Sequence, residues 1–289
     1  MKISIDEGAG FCWGVVQTIE KVEQKLSENS DKSINVLGEI IHNPHEIERL
    51  ASKKLVTIGY DDIDKLDAED SIVIIRAHGE PPSTYSKLEK NGIEVVDATC
   101  PLVRRLQQQV LEYYNSGWQI VIYGKYEHAE VVGLRGVCND DCIVLKTAEE
   151  VEALVDFNRK TLLCSQTTMD MTGLLAVKSK IDSNIKCEFI FKNTICKFVT
   201  NREKSLYNFA KNNDLILFVA GRNSSNGKVL FEICKSANKN SVFIESISDL
   251  DTLKLSSYEN IGITGATNTP KWYLEKIKNE LNKQAPLDI

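Results

Sequence analysis

Three cysteines share one local setting. Cys12, Cys100 and Cys196 recur at nearly equal intervals, each closely after a β-branched run and directly before a stretch of helical periodicity. A helix N-terminus carries partial positive charge and free N–H groups, which lower a thiol's pKa. The three cysteines are therefore expected to have thiolate character. If they converge, they form a soft, anionic ligand set of the kind iron–sulfur clusters take. Three ligands on a four-iron cluster leave one iron open for chemistry, as a catalytic zinc keeps an open position. The pattern fits equally well three buried cysteines that never meet. The flanks favour a site: Gly10 and Gly14 leave room around Cys12, and Asp97-Ala98-Thr99 brings small and capping residues before Cys100-Pro101.

Of the eight cysteines, Cys164, Cys187 and Cys234 sit in apolar surroundings and are expected to fill the core. Cys138 and Cys142 flank the turn Asn139-Asp140-Asp141 and read as incidental. No C-x-x-C pair is present, which excludes zinc-ribbon and thioredoxin-type motifs.

A second group suits an anion. His42, His78 and His128 each follow a predicted strand in a short polar motif, where ligands bind in parallel α/β sheets. Together they can hold a phosphate by charge and hydrogen bonds. His45 opens a helical stretch and reads as surface. The run Gly221-Arg222-Asn223-Ser224-Ser225-Asn226-Gly227-Lys228 follows a strand and opens a helix, a setting for phosphate. It is not a P-loop: five residues separate its glycines, and Val229 replaces the magnesium-binding hydroxyl. Ser165-Gln166-Thr167-Thr168 offers hydroxyls after another strand, although such residues also cap helices. Glu130, two residues past His128, is the natural proton donor, its pKa raised by low-dielectric surroundings.

The elements that must position these groups alternate. Twelve strand-like runs begin at Lys2–Ile5 and end at Asn260–Thr264, with helical stretches between them. This is the signature of parallel α/β units. The clearest helix is Pro101–Tyr114, with Leu102, Val103, Leu106, Val110, Tyr113 and Tyr114 on one side. We expect three similar α/β units with small, mostly parallel sheets: 13–99, 100–193, and 1–12 plus 194–284, followed by a tail at 285–289. The N-terminal strand joins the third unit, and each unit presents one cysteine.

The chain has 289 residues and a net charge of -6, with 35 basic residues interspersed rather than striped. Nucleic acid and anionic membrane are not expected partners. No apolar run reaches membrane-spanning length, and the N-terminus has no signal region, so the expected location is the cytoplasm.

Together the motifs resemble the 4-hydroxy-3-methylbut-2-enyl diphosphate reductase (LytB-type) family from Ile3 to about Leu281. They are Gly10-Phe11-Cys12-x-Gly14-Val15, His42-Asn43, Ala77-His78-Gly79, Asp97-Ala98-Thr99-Cys100-Pro101, His128-x-Glu130-Val131, Gln166-Thr167-Thr168, Thr200-Asn201-Arg202 and Asn223-Ser224-Ser225-Asn226. The resemblance implies a pseudo-threefold trefoil around a central 4Fe-4S cluster held by Cys12, Cys100 and Cys196. It implies that His42, His78, His128, Ser224, Ser225 and Asn226 bind the substrate diphosphate, that Glu130 donates protons with His128 beside it, and that Thr167 lies near the substrate hydroxyl. The implied reaction is a two-electron reductive dehydroxylation giving isopentenyl and dimethylallyl diphosphate, the last step of the non-mevalonate isoprenoid pathway. Electrons come from a ferredoxin or flavodoxin. One position departs from the family: in Thr264-Gly265-Ala266-Thr267-Asn268-Thr269-Pro270, Asn268 stands where serine is usual. The alternative reading is a noncatalytic iron–sulfur sensor or divergent paralogue on the same scaffold.

Overall fold

The computed structural model describes residues 1–29 and 31–284, so the expected tail at 285–289 lies outside the described residues. In chain order the elements are β1 (Lys2–Ile5), α1 (Trp13–Glu28), β2 (Ser33–Leu37), α2 (Pro44–Ser52), β3 (Val56–Ile58), β4 (Ser71–Ile75), α3 (Pro82–Lys90) and β5 (Glu94–Asp97). Next come α4 (Pro101–Asn115), β6 (Gln119–Tyr123), α5 (Ala129–Val137), β7 (Ile143–Leu145), α6 (Val151–Leu154), β8 (Thr161–Ser165), α7 (Met171–Asp182) and β9 (Phe189–Phe191). The last are α8 (Lys197–Lys211), β10 (Leu215–Val219), α9 (Ser225–Ala237), β11 (Ser241–Ile244), β12 (Asn260–Gly265) and α10 (Lys271–Gln284).

The strands form three four-stranded sheets, all of whose pairings are parallel. Their orders are β3-β2-β4-β5, β7-β6-β8-β9 and β11-β10-β12-β1. The topology is the same each time, and in the last sheet the N-terminal strand takes the outer place that β5 and β9 take in the others. The strands read as unbroken apolar runs because helices cover both faces of such sheets. Accordingly β4, β6, β8 and β10 are buried along their whole length.

The chain divides into two compact units. The first holds residues 1–16, 41–49 and those from 197 onward, with the sheet β11-β10-β12-β1. Its core includes Leu217, Val219, Ile263, Tyr273 and Ile277 on one face, and Leu206, Phe218 and Leu230 on the other. The second holds residues 17–40 and 50–196, with the other two sheets. Within it Gly136 on α5 meets Pro81 ahead of α3: a Cβ at Gly136 would lie 2.2 Å from the Pro81 Cβ.

Three local readings are corrected. Leu102 is exposed (42%), because α4 turns Val103, Leu106 and Val110 to the core instead. Cys187 is exposed and donates to the Asn158 carbonyl (2.9 Å), since β9 begins only at Phe189. His45 does open α2, but it is half-buried, stacked on Tyr273 with ring centroids 3.9 Å apart.

Gly136→Ala is expected to destabilise the protein by about 1–3 kcal/mol through overpacking against Pro81. Chemical denaturation checks this, with Gly117→Ala as a comparison that meets no atom within 4 Å but carries the strain of a positive φ.

Candidate active site

In each sheet the strand order reverses between two inner strands, and ligands of parallel sheets bind beyond the carboxyl ends there. The loops leaving those strands carry the predicted histidines, Glu130 and the hydroxyl and amide side chains, while the cysteines follow the outer strands β1, β5 and β9.

In the first unit, the Cys12 amide donates to the Thr267 carbonyl just past β12 (2.9 Å), and the Cys12 carbonyl accepts from Val16 to open α1 (2.9 Å). The amide and hydroxyl of Thr267 both donate to Asn226 Oδ1 (2.9 and 2.8 Å). Ser224 caps α9, accepting from the Gly227 amide (3.0 Å). Asn268 Nδ2 donates to Ser224 Oγ (3.1 Å) and to the His42 carbonyl (3.2 Å). At Gly221 a Cβ would stand 2.3 Å from that same carbonyl, so only glycine lets the β10 exit pass. Cys12, His42, Ser224, Ser225, Asn226 and Asn268 are thus gathered at one end of one sheet. Asn226 is 5% exposed and its Nδ2 has no hydrogen-bond partner. A buried donor without an acceptor costs about 1–3 kcal/mol. Beside a capped helix N-terminus, an anion is the ligand that removes this cost.

In the second unit the same device recurs twice. The Cys100 amide donates to the Ala77 carbonyl past β4 (3.0 Å), and the Cys196 amide to the Thr167 carbonyl past β8 (2.8 Å). The rings of His78 and His128 meet edge-on, with centroids 5.3 Å apart. His128 caps α5, its Nδ1 accepting from the Glu130 amide (3.2 Å). A neutral ring in that role carries its proton on Nε2. Glu130 is 2% exposed and accepts from the Thr167 amide (2.6 Å) and hydroxyl (2.7 Å). Burial outweighs those two bonds and pushes its pKa up to about 7. The carboxyl therefore populates both protonation states near neutrality, as a proton donor must.

The lowered thiol pKa does not hold for Cys100. Burial pushes that thiol up, against the helix amides, and the neighbouring Cys196 and Glu130 push it further. Helix termini favour a thiolate only where water or a counter-charge also does.

Two features escaped the sequence reading. Arg202 of α8 is buried in an ion pair with Asp6, and its Nη2 also donates to Thr264 Oγ1 (2.7 Å). Asp6 accepts in addition from Thr264 (2.9 Å) and from the Gly8 amide (3.0 Å), which fixes the loop leading to Cys12. The signal was available: Arg202 falls in register with Val199 and Leu206 on the buried stripe of α8. Gln166, fully buried, accepts from the Lys125 amide (3.1 Å) and donates to Thr168 (2.8 Å), tying the exits of β6 and β8 together.

These elements define a class: a parallel α/β protein that brings one cysteine to the carboxyl end of each sheet, with polar loops rich in hydroxyls and amides alongside. The model of the LytB protein family matches residues 3–282. A 4-hydroxy-3-methylbut-2-enyl diphosphate reductase of Chloroherpeton thalassium is 42% identical, covering 97% of this chain and 96% of the relative. One from Bacteroides thetaiotaomicron is 43% identical, covering 97% and 98%. Two solved structures are similar. One is the structure of (E)-4-hydroxy-3-methyl-but-2-enyl diphosphate reductase, described as the terminal enzyme of the non-mevalonate pathway (TM-score 0.73, 32% identity, 98% of this chain and 99% of that one). The other is the E-1-hydroxy-2-methyl-but-2-enyl-4-diphosphate reductase of Plasmodium falciparum (TM-score 0.86, 28% identity, 97% and 88%). The chain belongs to the LytB family.

Two stability measurements follow. Arg202→Ala leaves Asp6 buried and unpaired and is expected to cost about 3–5 kcal/mol in denaturant unfolding. For Glu130 the folded pKa lies above the ordinary 4.5, so the folded state holds the extra proton between there and about 7. Its contribution to stability therefore falls as pH rises through that window. Glu130→Gln apoprotein should exceed wild type by on the order of 2 kcal/mol above pH 7, with the gain vanishing near pH 4.5.

Proposed function

We propose that this protein is an iron–sulfur oxidoreductase that converts 4-hydroxy-3-methylbut-2-enyl diphosphate to isopentenyl and dimethylallyl diphosphate. The single observation that carries the reading is the buried pair of Glu130 and Thr167, tied by two hydrogen bonds and held beside Cys100 and Cys196. Family membership supports the substrate.

The donor set fits a 4Fe-4S cluster with Cys12, Cys100 and Cys196 as its protein ligands. In the second unit, burial together with the neighbouring Cys196 and Glu130 raises the cost of ionising Cys100. A cationic iron centre relieves that repulsion, and thiolate sulfur is the ligand such a centre prefers. When bound, the cluster supplies electrons and Lewis acidity. A ferredoxin or flavodoxin is the electron donor, and the reaction takes place in the cytoplasm. No described helix is long and apolar enough to cross a membrane. Each sheet with its helices acts as one lobe, bounded as 13–99, 100–193, and 1–12 with 194–284.

The chain's own residues divide the remaining work. The diphosphate is held by His42, His78, His128, Ser224, Ser225, Asn226 and Asn268, with the free Nδ2 of Asn226 and the α9 N-terminus as its fixed donors. Asn268 supplies an amide N–H where the family resemblance implies a serine hydroxyl. It hydrogen-bonds to Ser224, so it positions that hydroxyl as well as offering its own donor. Thr167 orients the carboxyl of Glu130 and faces the substrate hydroxyl. Glu130 gives its proton to the departing oxygen, which leaves as water. Burial keeps that proton available at neutral pH, and His128 holds the Glu130 amide in place.

Anaerobic purification with iron and sulfide analysis, followed by oxidation of reduced methyl viologen, tests the reading. About four irons per chain and viologen oxidation dependent on the diphosphate substrate are expected. A full cluster without turnover would establish the noncatalytic alternative. Cys100→Ser is expected to lose the cluster. Glu130→Gln is expected to keep it and lose turnover by roughly 100-fold or more, and normal turnover in that variant would remove Glu130 from the proton-donor role.

A further inference from the structure

The segment Cys138-Asn139-Asp140-Asp141-Cys142 lies outside the site described above and is built unusually. Cys138 ends α5 and is fully buried; Cys142 precedes β7 and packs against the same core cluster. The chain reverses between them through two consecutive left-handed residues, Asn139 (φ 52°) and Asp140 (φ 60°). Neither is glycine, and asparagine and aspartate are the other residues that adopt this conformation most readily. The turn is pinned by the amide of Asp141 on the Cys138 carbonyl (2.8 Å) and that of Asp140 on the Arg135 carbonyl (3.0 Å). Its effect is to fold Cys142 back onto Cys138. The Cys138 thiol donates to the Leu134 carbonyl (3.4 Å), and the Cys142 side chain lies close enough to act on its ionisation.

The two sulfurs are not equivalent. Cys142 lines a cavity of about 130 Å³ together with Asp140, Asp141 and Arg159, whereas Cys138 is closed off. The Arg135 guanidinium pairs with Asp140 (2.7 Å) and lies close enough to Cys142 to favour its thiolate. Cys138 and the Arg135 charge lower the pKa of the Cys142 thiol, and Cys142 and burial raise that of Cys138. A partly accessible thiol that ionises more readily, beside a buried one that ionises less readily, is the arrangement of an attacking and a resolving thiol.

We propose that Cys138 and Cys142 form a reversible intramolecular dithiol–disulfide couple that reacts with low-molecular-weight disulfides. The Cys142 thiolate attacks one sulfur of the small disulfide, forming a mixed disulfide and expelling one thiolate. The Cys138 thiol then loses its proton and displaces the second small thiol, closing the Cys138–Cys142 bond. The protein dithiol loses two electrons and two protons, and the small disulfide gains them as two thiols. The bond ties the end of α5, whose first turn carries Glu130, to the start of β7.

The holoenzyme, incubated anaerobically with glutathione disulfide, is unfolded in an alkylating reagent and cleaved with trypsin. Arg135 and Lys146 bracket one peptide that contains Cys138, Cys142 and no other cysteine. The expected result is this peptide lighter by two hydrogens and unalkylated, reverting to two alkylated cysteines after dithiothreitol. In Cys138→Ser, where closure is blocked, Cys142 is expected to accumulate the glutathione adduct. Recovery of both cysteines alkylated in the wild-type peptide, under conditions that modify the exposed Cys187, overturns the proposal. So does a wild-type peptide that stops at a stable glutathione adduct on Cys142.

Discussion

The structure rests on one repeated hydrogen bond, from the amide of a cysteine to the carbonyl two residues beyond the end of an inner strand. Cys12 binds Thr267, Cys100 binds Ala77, and Cys196 binds Thr167. Each bond is worth only about 1 kcal/mol net, but its placement decides much. It closes the outer strand's exit loop onto the neighbouring strand's exit and sets where the next helix begins. It also holds the sulfur at the carboxyl edge of the sheet. The three sheets share one strand order, so the same bond is available three times.

Around that bond the two compact units specialise. The first carries neutral donors at a helix N-terminus: hydroxyls, amides and the unpartnered Asn226 nitrogen. The second carries Glu130, whose carboxyl pKa is pushed up to about 7 by burial, close to Cys100 and Cys196. Neutral donors hold an anion without changing state over the working pH range, whereas proton delivery requires a group that does change. Asn268 belongs with the holders. It replaces a hydroxyl by an amide and spends part of its donor capacity on Ser224 and the His42 carbonyl.

The strands were legible because parallel sheets covered on both faces write themselves as unbroken apolar runs, and all twelve lie where those runs are. Boundaries moved by a residue or two, as at β9, which begins only at Phe189. The polar loops beyond the strands were legible through their motifs. Their energetics were not: burial at Cys100 reverses the effect of its helix, and burial cannot be read locally. The Asp6–Arg202 pair joins residues 196 apart in sequence, so no local pattern reports it. Leu102 shows the converse, an apolar residue beside a stripe that the helix turns outward.

The pairing of β1 with β12 has a consequence for biosynthesis. The second unit draws only on residues 17–40 and 50–196 and can form while the chain is still emerging from the ribosome. The first strand must wait, because Lys2–Ile5 pairs with the much later Asn260–Ile263. The loop bearing Cys12 meets its carbonyl at Thr267 later still. Closing so long a stretch of chain is slow, and until it closes an edge of β12 stays open to other chains. Synthesis therefore leaves the first of the three cysteines unplaced until the residues around Thr267 have been made.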